Sequence, residues 1–309
     1  MISKFKLTFL ITMLALSTVA CSDRGPLPEE GRLYYSIVEG GRSRIEWMDK
    51  NGEHSTYVVG DVPERSHISS KGRRAYNKLK SKAEINGAPA SSPSLSRNGR
   101  LMIYVCSEPN SLRLINLETY EEEGLVKTGE PLAFPCLSRD NEGYFTYLRG
   151  DVTQEQQRIF VQKIGKSPVC LIDARRLGPP SWSNFGRDIL FSYASSSGKT
   201  ALYATDSAKA DGETKEVMPG AVQACMAPTG SSIAAVVDGQ IVLYDMFSKK
   251  SRTIVHEGGC SSPTWNPSGN TVAFVKDNAI YTVDLVGDNL KRISPESKVI
   301  SDVCWAKGF

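Results

Sequence analysis

Apolar residues in this chain fall into short runs bounded by Gly, Asn, Ser and Pro, and the runs recur. Leu101-Met102-Ile103-Tyr104-Val105, Ile189-Leu190-Phe191, Ile233-Ala234-Ala235-Val236-Val237 and Val272-Ala273-Phe274-Val275 each follow a Gly-containing turn. Runs of this length, rich in β-branched and aromatic residues and closed by turn residues, predict β-strands. Their apolarity is nearly continuous instead of alternating, so both faces of each strand are expected to be covered. A third strand is predicted after each run, over 112–117, 158–162, 201–205, 241–244 and 279–283, and a more polar fourth near 169–172, 252–255 and 291–294. The charge of the fourth strand suits an outer edge that must resist pairing.

Each unit is headed by one further block. Ser92-Pro93-Ser94-Leu95-Ser96-Arg97-Asn98-Gly99, Pro180-Ser181-Trp182-Ser183-Asn184-Phe185-Gly186, Ala224-Cys225-Met226-Ala227-Pro228-Thr229-Gly230 and Pro263-Thr264-Trp265-Asn266-Pro267-Ser268-Gly269 align, and Pro135-Cys136-Leu137-Ser138 and Val303-Cys304-Trp305-Ala306 join them. The large apolar position is then Leu95, Leu137, Trp182, Met226, Trp265 and Trp305, at separations of 42, 45, 44, 39 and 40 residues. A period of about 40 to 45 residues with four strands per unit predicts propeller blades. Residues 32–59 supply three strands with no such block before them, and 301–308 supply the block with no strands after it. The expectation is an all-β, six-bladed β-propeller of four-stranded antiparallel blades, spanning 32–309, whose ring closes by pairing the C-terminal strand with the N-terminal three.

The motif Pro-x-Trp-x-Pro-x-Gly-x-x-Val-Ala-Phe over 263–274 resembles the TolB-type (WD40-like) propeller repeat, with the usual Ser-Pro-Asp-Gly turn degenerate at 96–99, 183–186 and 227–230. No Gly-His or Trp-Asp signature of the WD type occurs. The resemblance implies a periplasmic scaffold that docks partners. Propellers of this type also accompany hydrolase domains in prolyl oligopeptidases, but the repeats account for residues 30–309 and leave no such domain to expect.

The first twenty residues break the repeat. Lys4 and Lys6 precede an uncharged apolar stretch from Leu7 to Val19, and Thr18-Val19-Ala20 stands before Cys21. A basic start, a short apolar stretch and small residues predict a cleaved export signal over 1–20, too short for a membrane span of about 20 residues. Small residues before Cys resemble a bacterial lipobox, although Thr18 replaces the usual Leu. Lipidation of Cys21 is therefore expected, with 21–31 as a lipidated tether and the membrane as a partner through that lipid. Ser22 after the cysteine implies sorting to the outer membrane, facing the periplasm.

Removing Lys4 and Lys6 with the leader leaves 35 basic against 34 acidic residues, so no global charge points to nucleic acid. The local balance differs. Between predicted strands, residues 61–92 carry Arg65, Lys71, Arg73, Arg74, Lys78, Lys80 and Lys82 against few acids, a candidate site for anionic lipid, glycan or an acidic protein face. A merely solvated insertion is the competing expectation.

Catalytic signals are weak. The three histidines (His54, His67, His256) are scattered, no Cys-x-x-Cys occurs, and no Gly-x-Ser-x-Gly elbow is present, so no metal, cofactor or catalytic residue is assigned. Asp206, Asp245 and Asp284 recur just after third strands, where holding a turn is the expected role. Cys136, Cys225 and Cys304 occupy one repeat position in alternate blades and are expected to be too far apart to pair, and the cysteines generally are expected as small core residues. The recurring aromatics are expected in the core between blades, with Trp47 outside that pattern and exposed. The expected function is a non-catalytic envelope lipoprotein that scaffolds a protein partner; the alternative is a propeller that binds or degrades polysaccharide.

Overall fold

The computed structural model describes residues 31–52, 56–60, 88–138, 143–151, 156–183, 186–195, 198–209, 213–296 and 298–307. The leader, Cys21 and most of the tether lie outside the described residues. So do Arg65, Lys71, Arg73, Arg74, Lys78, Lys80 and Lys82, and also His54 and His67.

Among the described residues, twenty-four strands form six four-stranded antiparallel sheets, and these are the six blades. The first blade contains β1 (Arg32–Glu39), β2 (Arg42–Met48) and β3 (Thr56–Gly60), and the second β4 (Ala90–Leu95), β5 (Leu101–Ser107), β6 (Asn110–Asn116) and β7 (Glu122–Lys127). The third holds β8 (Leu132–Leu137), β9 (Tyr144–Arg149), β10 (Gln157–Lys163) and β11 (Val169–Ala174), and the fourth β12 (Ser181–Trp182), β13 (Asp188–Ala194), β14 (Thr200–Asp206) and β15 (Lys215–Pro219). The fifth holds β16 (Ala221–Met226), β17 (Ser232–Val237), β18 (Gln240–Asp245) and β19 (Ser251–Val255), and the sixth β20 (Cys260–Trp265), β21 (Thr271–Lys276), β22 (Ala279–Asp284) and β23 (Lys291–Arg292). The last strand, β24 (Val299–Ala306), returns to the first blade and pairs along β1 from Arg32↔Ala306 to Val38↔Val299. The ring closes as the sequence predicts, with β24, β4, β8, β12, β16 and β20 innermost and in contact in that order.

The second strand of each blade is buried on both faces; Met102, Ile103, Ile233, Ala234, Val272 and Phe274 are wholly inaccessible. The six large apolar positions, Leu95, Leu137, Trp182, Met226, Trp265 and Trp305, are all buried between blades. Two fourth strands that the pattern did not reveal, β7 and β15, complete the second and fourth blades.

One boundary needs correction. The interval read as 61–92 ends earlier, because β4 begins at Ala90. Ser92 and Pro93 look like a turn but form a bulge: Ser91 pairs with Val105 and Ser94 with Ile103, leaving two residues opposite Tyr104. Phe134-Pro135 and Ser262-Pro263 repeat this arrangement, with Ser92, Phe134 and Ser262 all at φ near +50°. A bulge removes the need for a ladder N–H, which is how Pro fits within an innermost strand.

An ionic clasp holds the closing blade. Glu46 on β2 accepts hydrogen bonds from Arg44 Nε (2.8 Å), Tyr35 OH (3.0 Å) and Lys298 Nζ (2.5 Å), the last from the residue that leads into β24. Arg44 also pairs with Glu39 at 2.8 Å.

Candidate functional site

The innermost strands end in the first turns of their blades, and these turns ring one mouth of the central channel. A cavity of about 410 Å³ opens there, within the size range of ligand sites. Its walls come from the repeated block itself. Cys136, Cys225 and Cys304 line it together, as do Ser94 and Thr264 from the blades between them. The position before the large apolar residue therefore alternates hydroxyl and thiol around the ring: Ser94, Cys136, Ser181, Cys225, Thr264, Cys304.

The alternation has a bonding reason. At two of the three hydroxyl positions the oxygen accepts a backbone N–H from the next blade, Leu137 N to Ser94 Oγ at 3.0 Å and Trp305 N to Thr264 Oγ1 at 3.1 Å, whereas Ser181 Oγ is buried with no partner among the described residues. At Cys136 and Cys225 the Cys carbonyl accepts an indole N–H from the next blade, Trp182 Nε1 to Cys136 O and Trp265 Nε1 to Cys225 O, both at 2.9 Å, while the blade after Cys304 carries Leu95 and offers no indole. Buried polar groups need such partners. The small thiol leaves room for the Trp ring that packs over it.

No disulfide joins the six described cysteines. Cys106 and Cys260 are buried, in line with expectation, and burial pushes the Cys260 thiol up to about 11. Cys136, Cys170, Cys225 and Cys304 are only half-buried, and three of these border the cavity, so the reading of the cysteines as core residues needs correcting for them. Trp47 is likewise half-buried rather than exposed, because the Arg32 guanidinium lies 4.3 Å over its ring.

Among the described residues at the mouth, Arg97 and Lys307 stand exposed, and no carboxylate is among the described residues that line the cavity. The remaining lining is mixed: Pro228, Pro267, Leu137, Trp265 and Trp305 beside Ser96 and Ser268. Among the described residues, no group of three His, Cys, Asp or Glu side chains is placed to hold a metal ion. Toward the other end of β24, Asp302 is half-buried; burial raises its carboxyl above the ordinary value, against hydrogen bonds from Ser301, Ser36 and Ser92.

The turn aspartates hold turns. Asp206 Oδ1 accepts the Ala208 N–H (2.9 Å), Asp245 Oδ1 those of Phe247 (3.0 Å) and Ser248 (2.7 Å), and Asp284 Oδ1 those of Val286 (3.1 Å) and Asp288 (2.8 Å). His256 lies exposed and contributes its carbonyl to Gln240.

No protein-family model and no curated protein matches this sequence. Solved structures do match: TolB from Acinetobacter baumannii aligns with a TM-score of 0.71 at 16% identity, over 89% of this chain and 66% of that one. The fold is the TolB-like six-bladed propeller. This chain spans just under two thirds of that TolB chain's length. A nidogen/laminin complex matches with a TM-score of 0.66 at 9% identity, covering 89% of this chain and 98% of that one. An oligogalacturonate lyase in complex with manganese matches at 0.53 and 12% identity, covering 85% and 74%. At these identities the TolB-like likeness is one of fold.

Sequence reasoning found the ring and the alternating cysteines but missed Arg97 and Lys307. Arg97 sits in a degenerate turn, Ser96-Arg97-Asn98-Gly99, where its type carries no repeat signal. The recurrence of Ser or Thr between the Cys blades was the legible clue to the inner hydrogen bonds.

Proposed function

We propose that this chain is an exported envelope lipoprotein, anchored through Cys21 to the outer membrane and facing the periplasm, that acts as a non-catalytic scaffold. Its propeller docks a protein partner at the channel mouth. The observation that carries this reading is the chemistry of the cavity. Ser94, Thr264, Ser96 and Ser268 spend hydrogen bonds on the ring and its turns, so what the described residues turn outward is a mixed apolar wall with the cations Arg97 and Lys307. Apolar walls with a charged rim suit protein docking, whereas a sugar site needs many uncommitted polar groups. The basic residues at 65–82 supply a second contact, with an anionic surface of lipid, glycan or protein.

The test is capture of the full lipidated chain from membranes, comparing wild type with the Arg97→Glu, Lys307→Glu double variant. A partner recovered with wild type and lost by about tenfold or more with the variant is expected, since reversing two rim charges costs on the order of 1 to 2 kcal/mol. Equal recovery by both, or turnover of oligogalacturonate by the purified chain, contradicts the scaffold reading.

A further inference from the structure

The exposed apolar residues are not scattered evenly. Among the described residues, Phe247 is 82% and Val286 71% exposed, while the other large apolar residues at the surface remain at 49% or less. Both lie at turn tips between the third and fourth strands of adjacent blades, the fifth and sixth. Each tip is held out by the aspartate that starts its turn, Asp245 or Asp284. Ser248 and Leu285 border one groove between the two blades, which makes the tips neighbours. Lys249, Lys250 and Lys291 are exposed beside them. Two neighbouring apolar tips flanked by Lys are the pattern of an interfacial anchor.

Chain direction places these tips on one face with the tether. Successive antiparallel strands put the first and third turns of every blade on one face, and the second turns and interblade connections on the other. Gly31, where the tether meets β1, is on the first of these faces: a Cβ there would lie 2.1 Å from the Ala306 carbonyl oxygen and 2.9 Å from Pro267 of the sixth blade. The tether thus leaves from the sector of the ring that carries Val286. Ten residues from Ser22 to Gly31 reach at most about 36 Å. Gly60 and Ala90, which flank the basic insertion, pair with Arg44 and Cys106 at the opposite ends of their blades, so the insertion departs from the far face.

We propose that Phe247 and Val286, with Lys249, Lys250 and Lys291, form a membrane-contacting edge that seats the tethered propeller on the lipid surface, cavity mouth beside the bilayer. The apolar tips enter the interface, and the lysines meet anionic headgroups, each worth about 1 kcal/mol near such a surface. The proposal rests on the reading of Cys21 as the lipid anchor. It also places any partner at the cavity close to the membrane.

Amide hydrogen exchange of the full lipidated chain tests it, on vesicles of phosphatidylethanolamine and phosphatidylglycerol against the same chain in detergent. Exchange at 245–250 and 284–290 is expected to slow on vesicles by about tenfold, the factor that partial burial of a Phe supplies. The turns at 39–42 and 107–110 on the far face should be unchanged. In the Phe247→Ser, Val286→Ser variant the slowing should vanish while the chain stays vesicle-bound. Slowing at 39–42 and 107–110 instead, unchanged exchange at the tips, or slowing only on native membranes that retain their proteins, overturns the proposal. Intact-mass measurement checks the anchor separately. If no diacylglycerol is found on Cys21, the anchoring reading falls, and the same exchange comparison with excess vesicles still decides the edge.

Discussion

Asp302 and the turn aspartates show how one side chain takes opposite roles by placement. Asp206 and Asp245 accept backbone N–H bonds in open turns, which holds their carboxyls below the ordinary range. Their stabilising contribution is present at neutral pH and is lost as pH falls through the folded value. Burial raises Asp302 instead. Its contribution is full below the unfolded value of about 4 and is lost as pH rises through the folded value. Asp302→Asn should therefore gain stability on wild type between about pH 4 and about pH 7, read as a widening gap between urea midpoints. A gap that stays constant, or widens toward acid, contradicts the buried placement. At this scale the sequence was readable where a residue type repeats, as with the turn aspartates and the alternating cysteines. It was silent on Arg97, Lys307 and Phe247, whose importance comes from exposure and neighbours.

Among the elements, the apolar second strands were legible because burial on both faces leaves an unbroken hydrophobic run. Fourth strands were legible only in part: β11, β19 and β23 fall where the pattern puts them, and β7 and β15 escaped it. β7 is mostly accessible and holds Glu122, Glu123 and Gly124, and β15 opens on exposed Lys215 and Glu216; edges avoid the signals that mark strands. The start of β4 was hidden by Ser92-Pro93, a turn signal that the fold uses as a bulge. Closure of the ring depends on β24, and the Glu46 clasp ties its approach to β1 and β2. Arg44 and Glu46 side chains are 5% and 8% exposed, so Glu46→Ala removes the buried counterion of Arg44 and leaves it the exposed Glu39. A loss of about 3 to 5 kcal/mol is expected, the usual cost of removing one partner of a buried pair. Chemical denaturation reads it directly, and a loss below about 1 kcal/mol would show the clasp to be an ordinary surface pair.

For the whole molecule, six repeats and their joining ends were enough to assign the ring, because a propeller blade recurs at a fixed period. The polarity of the ring was not legible. That Gly31 and Gly60 lie on opposite faces follows from strand direction, and the sequence alone does not show which turns gather at the channel. The resulting account is of a tethered propeller with its partner site at the cavity mouth. Photo-crosslinking in cells tests that claim most directly, with a photoreactive residue placed at Ser268 on the cavity rim or at Glu108 on the far face. Both positions are exposed. The account predicts a discrete crosslink to a protein from Ser268 and none from Glu108. A crosslink from Glu108 alone, or none from either in folded, membrane-bound protein, would contradict it.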